Sequence, residues 1–166
     1  MSPDRDPIAE AHRQWRSHGW NAAADGMAMV TSVVRVHQLL MERIDAVLRP
    51  RGLTFARYEV LQLLTFTRAG RLSMTRLGSL LQVHPTSVTS AVDRLVAQGY
   101  VERQRSERDG RVILAVLTDE GRAAAAGATD ELNAEVFTDP GLEATEVRSL
   151  TALLAGLRAA GGDAVE

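Results

Sequence analysis

The stretch His84–Gly99 reads HPTSVTSAVDRLVAQG, and the spacing of its apolar residues decides the fold. Val88, Ala91, Val92, Leu95 and Val96 fall at i, i+3, i+4, i+7 and i+8, one buried stripe on an α-helix. The opposite face carries Thr86, Ser90, Asp93, Arg94 and Ala97, flanked by Ser87 and Thr89. These side chains are short and rich in hydroxyls, so the face can approach another surface closely. Pro85 suits the first helical position, where the missing N–H costs little, and Gly99 supplies a left-handed residue to end the helix.

Upstream, Ser73 caps a short helix whose apolar positions are Met74, Leu77, Leu80 and Leu81, and only Gln82, Val83 and His84 separate it from Pro85. The unit reads helix, tight turn, helix. Downstream, Val101–Arg105 and Val112–Leu117 read as strands joined by SERDG, with Asp109 and Gly110 in the turn. A hairpin placed directly after a helix-turn-helix is a wing.

The net charge of −2 hides an uneven distribution. Between residues 68 and 111, Arg68, Arg71, Arg76, Arg94, Arg103, Arg105, Arg108 and Arg111 face only Asp93, Glu102, Glu107 and Asp109, while the rest of the chain is acidic. A basic patch on an acidic body is drawn to phosphate in one orientation. All the long cations are arginine, which suits bidentate contacts to phosphate and guanine.

The segments LTFARYEVLQLL (53–64) and LSMTRLGSLLQVHPTSVTSAVDRLVAQGYVERQRSERDGRVILAVLTDEGR (72–122) resemble the winged helix-turn-helix core of the MarR family of bacterial transcriptional regulators. The most specific parts are DRLVAQGYVER, the D-x-R of Asp109 and Arg111, and LTDEGR. The resemblance implies a homodimeric DNA-binding regulator, often a repressor, that releases DNA on binding a small aromatic or carboxylate effector. It also implies that an aspartate at position 93 steadies a wing arginine. Arg111 is the expected partner, and acceptance from a cytosine amino group is the alternative role for Asp93.

From the N-terminus, Asp6 caps a short helix with Pro7 in its first turn, and Trp15 and Trp20 are its anchors. Met27, Val30, Val34, His37, Met41, Ile44 and Leu48 form a seam on a long helix, widened by Val33, Leu40 and Val47. Pro50 and Gly52 end it, and Thr54 caps a helix with Tyr58, Leu61 and Leu64 inward. Arg68–Arg71 reads as a turn. After the wing, Thr118 caps a helix to about Phe137, Thr138–Gly141 breaks it, and Val147, Leu150, Leu153, Leu154 and Leu157 stripe a last helix. The tail GGDAVE reads as disordered.

The expected class is therefore mainly α with a small β-hairpin wing, one domain over 1–166. Residues 7–50 and 119–160 supply long terminal dimerisation helices, and 54–118 the winged helix-turn-helix core. The expected partners are double-stranded DNA bearing an inverted-repeat operator and a second copy of the chain. The expected DNA-contacting residues are Ser73, Thr75, His84, Thr86, Ser87, Thr89, Ser90, Arg94, Arg103, Arg105, Arg108 and Arg111. His84 either caps the second helix or contacts DNA. By resemblance, an effector cavity is expected where the long first helix and the 54–68 helix meet the core, with Trp20, Met29, Val33, His37, Arg57, Tyr58 and Phe66 as candidate lining. A histidine bonded inside the core is the alternative for His37.

Several classes are disfavoured. No nucleophile is paired with a base and no glycine-rich phosphate loop occurs, so an enzyme is not expected. There is no cysteine, and the four histidines share no ligand spacing, so neither metal nor cofactor is expected. No membrane-length apolar run or signal-peptide core is present, which predicts a cytoplasmic protein. The competing reading is a winged-helix module for protein contact or architectural DNA binding without a small-molecule signal.

Overall fold

A computed structural model describes residues 6–165. In chain order the elements are α1 (Pro7–Ser17), α2 (Asn21–Leu48), a 3-10 turn (Arg49–Arg51), α3 (Phe55–Phe66), β1 (Arg71–Ser73), α4 (Met74–Leu81) and α5 (Pro85–Ala97). They continue with β2 (Val101–Arg105), β3 (Ile113–Leu117), α6 (Asp119–Leu132), a π-helical turn (Asn133–Phe137) and α7 (Ala144–Ala160). The fold is mainly helical with one small antiparallel sheet, as the residue patterns require. Two compact units divide at Ala46 and Val47.

In the first unit, Asp6 caps α1 by accepting the N–H of Ile8 at 2.9 Å, and Gly19 at φ 83° turns the chain into α2. Trp15 packs edge-on against Trp20 with ring centres 5.3 Å apart, and His18 stacks on Trp20 at the same separation. His12 Nε2 meets Asp25 Oδ1 at 2.8 Å, so α1 is tied to the start of α2 by rings and by one polar contact. α2 begins at Asn21, well before Met27, because Ala22, Ala23 and Ala24 are good helix formers too small to mark an apolar stripe. The seam is only partly filled. Val30, Val33 and Val34 stay exposed, as do Met29, Val36 and Leu39 beside them.

The second unit is organised by α3, which packs against α4, α5, α6 and β3. Thr54 caps it, accepting the N–H of Arg57, and Tyr58, Val60, Leu61 and Leu64 are its buried residues. They meet Leu77 from α4, Val88, Val92 and Leu95 from α5, and Ala125, Ala128 and Leu132 from α6, all essentially without solvent access. Each such leucine or valine contributes about 1.5–3 kcal/mol of burial. The Tyr58 hydroxyl is also used internally. It sits 3.2 Å from Thr129 Oγ1 on α6 and accepts from Gln62 Nε2 at 3.1 Å.

The sheet has the order β1-β3-β2, with Arg71 opposite Val116 and Val101 opposite Leu117. The turn read at Arg68–Arg71 ends one residue earlier, because Arg71 already belongs to β1. Gly70, at φ 62°, makes the turn, and Arg71–Ser73 then pairs with β3. Three residues are too few to show alternation. β3 starts at Ile113, and Val112 belongs to the turn, its N–H bonded to the Asp109 carbonyl at 2.9 Å.

Thr118 fastens the wing to the rest. Its hydroxyl accepts the N–H of Gly121, capping α6, and donates to the Gly99 carbonyl at 2.8 Å. Gly121 lies so close to the turn after α5 that a Cβ there would stand 2.0 Å from the Tyr100 carbonyl oxygen. The end of α5, the start of β2 and the start of α6 are thus locked at one point. Arg51 adds a brace, donating from Nε to Glu131 on α6 at 2.8 Å.

Candidate nucleic-acid interface

Of the α5 side chains, Val88, Val92 and Leu95 are buried, while Thr86, Ser87, Thr89, Ser90, Asp93 and Arg94 are exposed. At about 100° per residue, Thr86 and Ser90 stand opposite the buried stripe, Thr89 and Asp93 on one flank, and Ser87 and Arg94 on the other. The outward pole therefore carries only small hydroxyls. The Thr89 hydroxyl donates to the Pro85 carbonyl at 3.1 Å, which leaves its oxygen free to accept. His84 caps the helix, its Nδ1 accepting the N–H of Thr86 at 3.3 Å, which settles one of the two roles open to it.

Asp93 leads to the wing, and here one expectation is corrected. Its carboxylate pairs with Arg103 of β2, Nη1 to Oδ1 at 2.8 Å, and not with Arg111. The physical reason is proximity. α5 runs directly into β2 through Gly99 and packs on it, whereas Arg111 sits in the turn beyond, its own N–H bonded to Asp109 Oδ1 at 3.0 Å. Arg105 donates to the Gly110 carbonyl at 3.3 Å, which braces the hairpin turn.

The remaining candidates gather at a second place. Ser73 caps α4 by accepting the N–H of Arg76, and Thr75 is exposed in the first turn of that helix. Around them, Arg71 and Arg76 share a cleft of about 490 Å³ with Arg108, Ser106 and Glu107 of the wing turn. Three guanidinium groups thus converge beside the start of the helix-turn-helix. Arg71 and Arg76 belong to the basic segment, but nothing in the sequence singles them out. Their signal, an arginine on either side of a helix cap, is weak without the knowledge that β1 brings them to the wing.

The residues expected at an effector cavity fall in both compact units, Trp20, Met29, Val33 and His37 in the first and Arg57, Tyr58 and Phe66 in the second. Trp20 is occupied by Trp15 and His18, and His37 is an exposed residue of α2. Tyr58 is buried with its hydroxyl bonded to Thr129, and Phe66 is 79% exposed at the end of α3. Arg57 lines a different groove, of about 680 Å³, with Thr54, Ala56, Thr86, Ser87, Ser90, Ala91 and Arg94. Among the described residues, no group of three or more His, Cys, Asp or Glu is placed to hold a metal, and no helix is long and apolar enough to cross a membrane.

A sequence model described as the MarR family matches residues 51–112, which run from the turn before α3 to the wing. Sco5413, a MarR family transcriptional regulator from Streptomyces coelicolor, is 46% identical, with a TM-score of 0.77 over 86% of this chain and 99% of its own. Sco3205 from the same organism, a MarR family transcriptional regulator solved in complex with DNA, is 29% identical with a TM-score of 0.70, covering 83% of this chain and 88% of its own. The transcriptional regulator PecS of Dickeya dadantii is 27% identical over 70% of both chains. With the helix-turn-helix, the arginine-bearing wing and this extent of similarity in hand, the chain belongs to the MarR family of DNA-binding transcriptional regulators.

Proposed function

We propose that the protein is a homodimeric repressor in which α5 reads bases in the major groove of an inverted-repeat operator while the wing grips phosphate. The observation that carries this reading is the outward pole of α5, where Thr86 and Ser90 are exposed, small and flanked by arginines. Solvated helix faces favour Glu, Lys and Gln, so a hydroxyl pole suits close approach to base edges. Arg105, Arg108 and Arg111 supply charge from the wing, and Ser73 and Thr75 supply hydroxyls at the start of α4. Arg103 stays tied to Asp93, which fixes the first wing strand against the recognition helix.

Dimerisation is supported by apolar surface that a lone chain leaves in water. Val30, Val33, Val34, Leu150, Leu153 and Leu157 are all exposed, on α2 and α7. On each helix this leaves an apolar stripe uncovered, and exposed apolar surface of that kind marks an interaction site. A two-fold pair of chains places recognition helices about 34 Å apart, on half-sites about 10 bp centre to centre. A nuclease footprint on an operator selected from a random duplex library tests this: protection of two inverted half-sites by a dimer is expected, and protection of a single half-site by a monomer overturns it.

A small aromatic or carboxylate effector completes the proposal, supported by family resemblance. Trp20, His37, Arg57, Tyr58 and Phe66 remain its candidate contacts, although Tyr58 must give up Thr129 to serve. Effector coupling on the usual scale weakens operator binding about 5- to 150-fold. A titration with benzoate as probe, read by tryptophan fluorescence and by operator affinity, checks it. Binding with no change in operator affinity means the occupied site is not the switch.

A further inference from the structure

The groove between the start of α3 and α5 borders the hydroxyl pole of α5, and its two arginines give it a specific chemistry. Its lining holds two guanidinium groups, Arg57 and Arg94, four hydroxyls, and only two alanines as apolar wall. Arg57 is half-buried and held in place. Its Nε donates to Thr54 Oγ1 at 3.2 Å and its Nη1 to Gln98 Oε1 at 3.3 Å, while Gln98 Nε2 donates to the Gly52 carbonyl at 2.9 Å. Arg57 Nη2 is left without a hydrogen bond to the described residues. Arg94 is exposed, and its guanidinium makes no hydrogen bond or ion pair with them.

We propose that Arg57 and Arg94 form a second phosphate grip, on the flank of α5 opposite the wing, that holds DNA backbone along the other wall of the major groove. The inference rests on the reading of α5 as the recognition helix. An α-helix with its side chains is about 10–12 Å across and the major groove about 12 Å wide, so a helix seated there meets phosphates on both sides. On the wing flank, Asp93 and Arg103 join α5 to β2. On the other flank the cationic groups are Arg94 and Arg57, the second carried by α3 and set back from the base-reading pole. A guanidinium braced by two bonds, lining the groove with N–H groups to spare, is pre-organised for an oxyanion rather than for reaching a base edge. The groove is open and polar, unlike the largely apolar, enclosing sites that small ligands take.

Salt titration tests the grip, using a selected operator and a scrambled duplex with the full-length protein and its Arg57→Gln, Arg94→Gln, doubly substituted and Arg57→Lys forms. Each lost phosphate contact should flatten the slope of log affinity against log salt by about 0.9, and the double form by about twice that. Affinity should fall roughly 10- to 100-fold per charged hydrogen bond for both duplexes alike, with Arg57→Lys recovering part of the slope. If Arg57→Gln disturbs folding, Arg94→Gln carries the test alone, because the Arg94 side chain has no bond to the described residues. An unchanged slope in Arg94→Gln overturns the grip, and so does a shift in base preference. Loss of benzoate binding in Arg57→Gln with an unchanged salt slope also overturns it, by making the groove an effector site. Failure of the unsubstituted protein to select any duplex would instead sink the underlying DNA-reading proposal.

Discussion

α5 and α7 both carry leucines and valines at helical spacing, yet Val88, Val92 and Leu95 of α5 are buried while Leu150, Leu153 and Leu157 of α7 are exposed. The same contrast separates α3, with four buried residues, from the middle of α2, whose valines stand in water. α3, α5 and α6 bury most of their stripes within one chain, with Val96 near the end of α5 the exposed exception. α2 and α7 present stripes that the chain itself does not cover. Amphipathic spacing thus says that a face needs covering, and the tertiary structure says which faces are still waiting for it.

The largest effect that can break this contrast lies at Gly121. A methyl group there meets the Tyr100 carbonyl oxygen at 2.0 Å, backbone that no rotamer change can relieve. Gly121→Ala should therefore cost at least about 3 kcal/mol in chemical unfolding, comparable with Leu61→Ala in the core at about 2–5 kcal/mol. A loss under about 1 kcal/mol would mean that the lock between α5, β2 and α6 is loose. Next comes the exposed stripe of α7. Leu153→Glu, or truncation that removes the chain from Thr145 onward, should leave the folding of a dilute monomer nearly unchanged but abolish dimer in sedimentation, and operator binding with it. If Leu153→Glu unfolded the monomer as Gly121→Ala does, α7 would belong to the core and the contrast would fail.

Smaller effects sharpen the comparison. Asp93→Ala should cost under about 1 kcal/mol in thermal unfolding, because both partners in its pair with Arg103 are partly exposed. Since the pair orients the wing, operator affinity should fall by more than that stability change accounts for. Equal losses in stability and affinity would reduce the pair to an ordinary surface bridge. The smallest effect concerns the brace between the turn after α2 and α6. The hydrogen bond from Arg51 holds the Glu131 carboxyl below its ordinary range, and Glu131 in turn raises Arg51. A depressed carboxylate stabilises the fold above its unfolded value and loses that contribution as pH falls through the lowered one. Arg51→Ala should therefore melt slightly earlier near neutrality and converge with the unsubstituted protein in acid; a gap that widened in acid would contradict the sign. Glu59 has the opposite sign, raised by burial, so Glu59→Gln should be neutral or slightly stabilising near neutral pH.

Much of this protein was legible without coordinates, since helix and strand identity follow from local backbone geometry. The caps at Asp6, Ser73, Thr54 and Thr118, the breaks at Gly19 and Gly52, the hydroxyl pole of α5 and the basic hairpin can each be read from neighbours within a few residues. What only the tertiary structure decided depends on which faces meet. Arg103 rather than Arg111 reaches Asp93 because α5 docks on β2, and Arg71 joins Arg108 because a three-residue strand pairs with β3. Tyr58 turns inward to Thr129, while Arg57, next to it in sequence, turns toward α5. Adjacent helical residues point about 100° apart, so a sequence places both on the helix, but only docking against α5 and α6 assigns each side chain its partner.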